Sequence, residues 1–307
     1  MTRSSVNPAL TALGYAPEDR VVIFHADDLG MTEATVSAYS ELEGRSALTS
    51  ASVMLPCAWA PAAAQVVRAR PGADVGVHLT LTSEWDACRW APLSGPEPDL
   101  VDAEGYFHRR NEEARQAAPA AVARELRAQL ERALAWGLDV THLDTHMGAA
   151  AWPPFLPDLV ALAAEYGVPP LYLRHGAAGW EALGFGPEEA QQAAQLGQAL
   201  EARGFPLVDH LRMLPLDVGG DHAALTLELA RELPPGITHF ILHPASDTPE
   251  LRAVARDWPA RVANFEAFRS PELRGELEAL GIRLSGYRPL RDLFRRRLRE
   301  RAGSGQA

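Results

Sequence analysis

The sequence predicts an α/β fold of repeated β-α units, with either a parallel barrel or a doubly wound sheet at its centre. Two observations carry this expectation. Short apolar runs rich in β-formers alternate with amphipathic stretches along the whole length. Residues of catalytic type gather at the C-terminal ends of those runs, where parallel barrels and doubly wound sheets place their active sites. The 307 residues fit one large domain or two smaller ones, and no linker divides them.

The elements follow in order. The run V-V-I-F-H-A predicts a first strand over Val21–Ala26, followed by a helical pattern over Thr32–Glu43. A second strand, Leu48–Leu55, precedes a helix over Ala58–Ala69, and a third spans Asp74–Leu81. The segment 82–117 then breaks the rhythm with W-A-P-L-S-G-P-E-P-D-L and G-Y-F-H-R-R. It is too rich in Pro and aromatics for a helix and too long for an ordinary connection, so a lid or substrate wall is expected there. The alternation resumes with helix Ala118–Trp136, strand Asp139–Thr145, helix Phe155–Tyr166, strand Pro170–Arg174 and helix Pro187–Arg203. Strand Leu207–Leu211, helix His222–Glu232, strand Thr238–His243, helix Pro271–Leu280 and strand Arg283–Gly286 complete about eight strands. From Arg288 to about residue 302, Leu290, Leu293, Phe294 and Leu298 recur at helical spacing among arginines, predicting a terminal helix with a solvated face.

Composition narrows the function. A formal charge of -11 argues against a general nucleic-acid binder, although the arginine-rich end leaves local contact with an anionic membrane or nucleic acid as a second possibility. The two cysteines, Cys57 and Cys88, make no disulfide framework. The first twenty residues lack the apolar core of a signal peptide, and no stretch approaches a membrane span of roughly 20 apolar residues. A soluble, cytoplasmic protein is expected.

Adjacent aspartates at a strand end, Asp27 and Asp28 in V-V-I-F-H-A-D-D-L-G, rarely serve packing. Neighbours on a strand face opposite ways, so both can reach one cleft only where the strand breaks, and Leu29-Gly30 is the expected break. One can then ligate a cation while the other acts as a base. A helix N-cap explains one Asp at most. His78, His142, His146 and His243 also lie at predicted strand ends, and His78 follows Val75 and Val77 in G-V-H-L-T-L. In T-H-L-D-T-H-M-G, His146 lies farthest out and is the expected ligand, with His142 or Asp144 supporting it. His243, opening H-P-A-S-D, suits a general acid, and His25 faces inward as a core or supporting residue. His108, His175, His210, His222 and His239 have no comparable context. One carboxylate and two imidazoles make an open site for Zn²⁺ or a related ion with room for water. No G-x-G-x-x-G after a strand, Walker A sequence or G-x-S-x-G elbow supports another chemistry.

With H-A-D-D-L-G-M-T, A-L-T-S-A-S-V-M-L, G-V-H-L-T-L, T-H-L-D-T-H and L-H-P in this order, the chain resembles the YdjC-like carbohydrate deacetylases almost end to end. The resemblance implies a TIM-barrel-like (β/α) fold in a single domain spanning 1–307. It also implies one divalent cation, Mg²⁺ or Zn²⁺, held by Asp28, His78 and His146, and an N-acetylated sugar as substrate. Asp27 would take a proton from the attacking water, and His243 would protonate the leaving amine. Met147, Gly148, Ala149 and Ala150 stand where this family commonly carries additional histidines, so a different sugar or acyl group is open. Trp85, Trp90, Tyr106, Phe107 and Trp152 lie near these motifs and could stack on a sugar ring. Rival expectations are an amidohydrolase or phosphoesterase on the same barrel and a non-catalytic sugar binder; a homodimer is expected from size.

Overall fold

The computed structural model describes residues 6–95 and 97–303. Its parallel sheet is built from β1 (Arg20–Leu29), β2 (Ser50–Val53), β3 (Val75–Leu79), β4 (Leu143–Thr145), β5 (His210–Met213), β6 (Gly236–Leu242) and β7 (Ile282–Leu284). The hydrogen-bonded order is β4-β3-β2-β1-β6-β5. β1 is central because its run is apolar on both faces, and every residue from Val21 to Leu29 is buried. β2 pairs with the C-terminal half of β1, from His25 to Leu29, while β7 takes the N-terminal half of the same edge, at Arg20–Val22.

The expected strand Pro170–Arg174 shrinks to two isolated bridges, Leu143 with Pro170 and Leu173 with Val208. Pro169 and Pro170 lack the N–H groups a ladder needs, which is why this strand is broken. The bridges still complete the path from β4 to β5, so the sheet curls into a barrel whose wall is thin on one side. Loss of pairing also shortens the expected Asp139–Thr145 to β4 and moves the expected Leu207–Leu211 outward to β5.

The expected connecting helices appear as Glu33–Leu42, Ala60–Arg68, Pro119–Ala135, Leu156–Tyr166, Pro187–Ala202, His222–Arg231 and Pro271–Ala279. The pattern did not predict Ala177–Ala182, Pro249–Val254 or Trp258–Arg269. In the last two, Pro249 and Pro259 punctuate the sequence like breakers, yet each sits in the first turn, where proline is compatible with a helix.

The segment 82–117, of which residue 96 lies outside the described residues, packs against the helix Pro119–Ala135 and carries a short helix, Asn111–Ala114, where the sequence predicted none. Trp90 Nε1 donates to Thr82 O at 2.7 Å, and the Glu125 carboxylate accepts the N–H groups of Leu93 and Ser94 at 3.1 and 2.7 Å.

The terminal helix Arg288–Gly303 buries Leu290, Leu293 and Phe294 in a core that begins at Ala9. Its arginines turn inward as well: Arg291 meets Asp139, Arg295 donates to Gly167 O and Arg297 to Gly204 O. No described helix is long and apolar enough to cross a membrane.

Candidate metal centre

The break in β1 comes earlier than the sequence suggested. The register with β2 slips between Ala26 and Leu29. Asp28 itself takes a left-handed backbone, φ 63°, a conformation Asp tolerates better than most side chains. One residue is thereby turned over, and both carboxylates face the barrel mouth. Gly30, at φ 90°, follows because a Cβ there would stand 3.0 Å from the backbone of Ala60.

Three ends of strands converge on Asp28. Its Oδ1 lies 3.0 Å from His146 Nδ1 and 3.4 Å from His78 Nε2. The three ligand atoms lie within 4.8 Å of one another. Donors bound at ~2.0–2.1 Å around a tetrahedral ion stand about 3.3 Å apart, so the set fits a divalent cation. The remaining imidazole nitrogens are held as a metal site requires. His78 Nδ1 meets Asp144 Oδ1 at 2.8 Å, and His146 Nε2 meets Glu84 Oε1 at 3.0 Å. Arg261 Nη1 donates to the other oxygen of Asp28 at 2.8 Å.

The expectation that His142 or Asp144 supports His146 is therefore corrected. Asp144 pairs with His78 across adjacent strands, where the two are register partners, and Glu84 from the long segment supports His146. Neither Glu84 nor Arg261 stood out in the sequence. Glu84 closes T-L-T-S-E just past β3, a signal that existed, whereas Arg261 lies on the helix that was not predicted.

Charge is distributed unequally over the paired aspartates. Burial opposes ionisation of Asp28, but Arg261 and His146 outweigh it and hold its carboxyl well below the usual range. Burial pushes Asp27 up to about 7 against the pull of His78 and His25. Asp27 Oδ1 has no hydrogen bond, and Oδ2 lies 3.8 Å from His78 Nε2 and 3.9 Å from His243 Nε2. Burial disfavours charge on His146 too, yet Glu84 and Asp28 raise it to about 9. His78 is likewise raised, with Asp144 and Asp27 overcoming burial. His243 goes the other way: burial lowers it to about 3, so its imidazole is neutral at rest. Its backbone N–H donates to Asn264 Oδ1 at 2.8 Å, and Asn264 Nδ2 in turn meets His222 Nδ1 at 2.7 Å.

Beneath the centre lies a polar layer only partly expected. His25 Nε2 lies 2.8 Å from Asp144 Oδ2, which also accepts from Ser52 Oγ at 2.8 Å. The His142 ring stacks on Tyr287 at 3.8 Å, and Tyr287 OH meets His239 Nδ1 at 2.7 Å. His142 has room because residue 76 is glycine; a Cβ there would come within 2.6 Å of the ring. His222 and His239, passed over in the sequence, thus support the site. The other clusters of acids and imidazoles found among the described residues share His25, Asp27 or Asp144 with this centre.

A groove of about 890 Å³ opens beside Glu84, lined by Trp85, Trp258 and the charged side chains of Asp86, Arg109, Arg256 and Asp257. Of the aromatic candidates, Trp90 and Phe107 are buried at 3% and 0% exposure and cannot stack on a bound ring. Trp152 lies against Arg115 and Tyr106 against Arg89. Trp85 alone of the five lines the groove.

Residues 21–279 match the profile described as YdjC-like protein. The chain belongs to the YdjC-like family. Within it, a protein of Thermus thermophilus named carbohydrate deacetylase is 39% identical over 256 residues, 83% of this chain and 88% of that one. A Brevibacillus brevis protein of the same name is 36% identical over 151 residues, 49% of this chain and 58% of its own length. In structure, the YdjC-like chain is similar to an Enterococcus faecalis V583 protein described as a candidate cellobiose-phosphate cleavage protein. The TM-score is 0.70 at 22% identity, with 88% of this chain and 98% of that chain covered, a likeness of fold.

Proposed function

We propose that this chain is a metal-dependent deacetylase that hydrolyses the acetamide of an N-acetylated amino sugar or oligosaccharide. The observation that carries the proposal is the asymmetry of the aspartate pair: Asp28 belongs to a three-donor cradle, while Asp27 beside it keeps an oxygen without a hydrogen bond. Membership of the YdjC-like family and relatives named carbohydrate deacetylase give the substrate class.

Asp28, His78 and His146 would hold the cation, Mg²⁺ or Zn²⁺. Such an ion, when bound, polarises a carbonyl and acidifies water. Asp27 takes the proton from the water that attacks the acetamide carbon, a task suited to a carboxyl whose burial moves it toward neutrality. His243, neutral at rest and 3.9 Å from Asp27, relays a proton to the departing nitrogen as the C–N bond breaks. Arg261 fixes the orientation of Asp28, and Glu84 that of His146. The sugar lies in the groove beside Trp85, and its release leaves a free amine and acetate. A two-cation phosphoesterase is less well supported, because each further cluster among the described residues draws on Asp27, the base of this proposal, or on Asp144, the partner of His78.

Acetate release from N-acetylglucosamine and its oligomers, measured with metal content, tests the proposal. Wild type should release acetate with about one metal per chain. A metal-loaded protein that releases none would overturn it.

A further inference from the structure

Resting on the proposed ligand role of His146, we infer that Asn111, in the long segment, is a positioning residue of the metal centre: its amide holds the turn behind His146 in the backbone that aims the imidazole at Asp28. The turn His146–Ala151 begins where β4 ends. Met147 there takes a left-handed backbone, φ 54° and ψ 14°, and Gly148 follows at φ 69°. A residue with a Cβ is disfavoured in that conformation about tenfold. Burial of the Met147 side chain does not offset this, since it is 58% exposed. A strained residue of this kind persists where its surroundings over-determine it.

The surroundings that do so belong to the long segment. Asn111 Nδ2 donates to Met147 O at 2.6 Å. A carbonyl accepts from the nitrogen of an amide and not from its oxygen, which fixes the orientation of the Asn111 group and leaves its Oδ1 buried without a partner among the described residues. The short helix Asn111–Ala114 anchors the donor, with Arg115 N donating to Asn111 O at 2.9 Å. Beyond its far end the Arg115 guanidinium lies 4.4 Å from the ring centroid of Trp152, the residue that follows the turn. The helix therefore brackets the turn from Met147 to Trp152.

Strain at Met147 reaches His146 because the turn is closed on itself. Thr145 Oγ1 accepts from Ala150 N at 2.9 Å, tying the residue before His146 to one beyond Gly148. With both ends fixed, a change of backbone at Met147 cannot be taken up by the chain that follows, and it displaces the imidazole instead. The ring has little latitude: Nδ1 stands 3.0 Å from Asp28 Oδ1, and Nε2 stands 3.0 Å from Glu84 Oε1. Glu84 lies near the start of the same segment that carries Asn111 near its end. One stretch of chain thus grips the ring from one side and the backbone behind it from the other.

The test is the Zn²⁺ affinity of the metal-free protein, measured by competition with a chromophoric chelator in wild type, Asn111→Ala, Met147→Gly and the double variant. Asn111→Ala removes the donor, and affinity should fall about tenfold, as it does when other groups that support a metal ligand are lost. Met147→Gly removes the Cβ that opposes the left-handed turn. Alone it should stay within about threefold of wild type, and it should return the double variant to within about threefold as well. A general loss of folding would not be repaired at Met147, so this rescue separates positioning from bulk stability. Wild-type affinity in Asn111→Ala, or an equal loss with and without the glycine, would overturn the inference and leave the deacetylase proposal standing. His146→Ala checks the ligand itself: zinc held as tightly as in wild type would remove the ligand role of His146 and the inference with it, whereas acetate release by the wild type is read independently of both.

Discussion

Asp27 and Asp28 are consecutive in sequence and opposite in environment, and three expectations follow at this scale. Asp27→Asn should keep about one metal per chain and lose turnover by about a hundredfold or more, read by elemental analysis beside acetate release. A variant that loses its metal would remove the division of roles. Against burial, Asp144 and Asp27 hold His78 above its ordinary value, and Glu84 and Asp28 hold His146 at about 9, so loading the metal-free protein at pH 7 should release protons from the imidazoles. Titration calorimetry in buffers of different ionisation enthalpy measures this, and release near zero would remove the imidazoles from the ligand set. The same shift has a stability consequence. His146 moves from an ordinary value near 6.5 to about 9 in the folded chain, so its contribution is fully present below pH 6.5 and lost as pH rises through 9. Metal-free protein should therefore lose up to about 3 kcal/mol between pH 6 and 9.5 in denaturant titrations. The ligand-type residues were legible in the sequence because they cluster at strand ends. Glu84 and Arg261 were not, since what marks them is the partner each meets across the fold.

Among the elements, the helix Trp258–Arg269 does most to hold the centre without contributing an expected ligand. Arg261 reaches Asp28 from it, and Asn264, fully buried, joins the His243 backbone to His222. Asn264→Leu would orphan the His243 N–H, together with His222 Nδ1, at about 2–4 kcal/mol for two buried polar groups. It should lower thermal stability and kcat together, whereas Asn264→Asp, which keeps the acceptor, should recover part of kcat. An unchanged kcat in Asn264→Leu would separate this helix from catalysis. Proline concealed the helix in the sequence: W-P-A-R punctuates like a loop, and only the packing of Ala260, Phe265 and Phe268 reveals a helical face. The strands show the converse. β1 reads plainly from its apolar run, but its bulge at Asp28 depends on pairing with β2, which no local pattern encodes.

For the molecule as a whole, the β-α alternation was enough to place nearly every strand, because burial on both faces leaves a continuous apolar run in the sequence. Barrel closure was not legible, since it rests on bridges at Pro170 and Val208 rather than on a run of strand-forming residues. Those bridges make the β4–β5 side the seam of the barrel. Apart from the ends of the chain, thermal breathing should begin there, because few backbone bonds must break to part it. In hydrogen–deuterium exchange, the amides of Leu171 and Arg174, bonded to Leu143 O and Val208 O, should exchange well ahead of those of Val22, Ile23 and Phe24 in β1. Equal protection would mean that the two sides open as one. The seam also divides the candidate ligands mechanically: Asp28 on β1 and His78 on β3 sit in paired strands, whereas His146 follows β4 at the edge that loosens first.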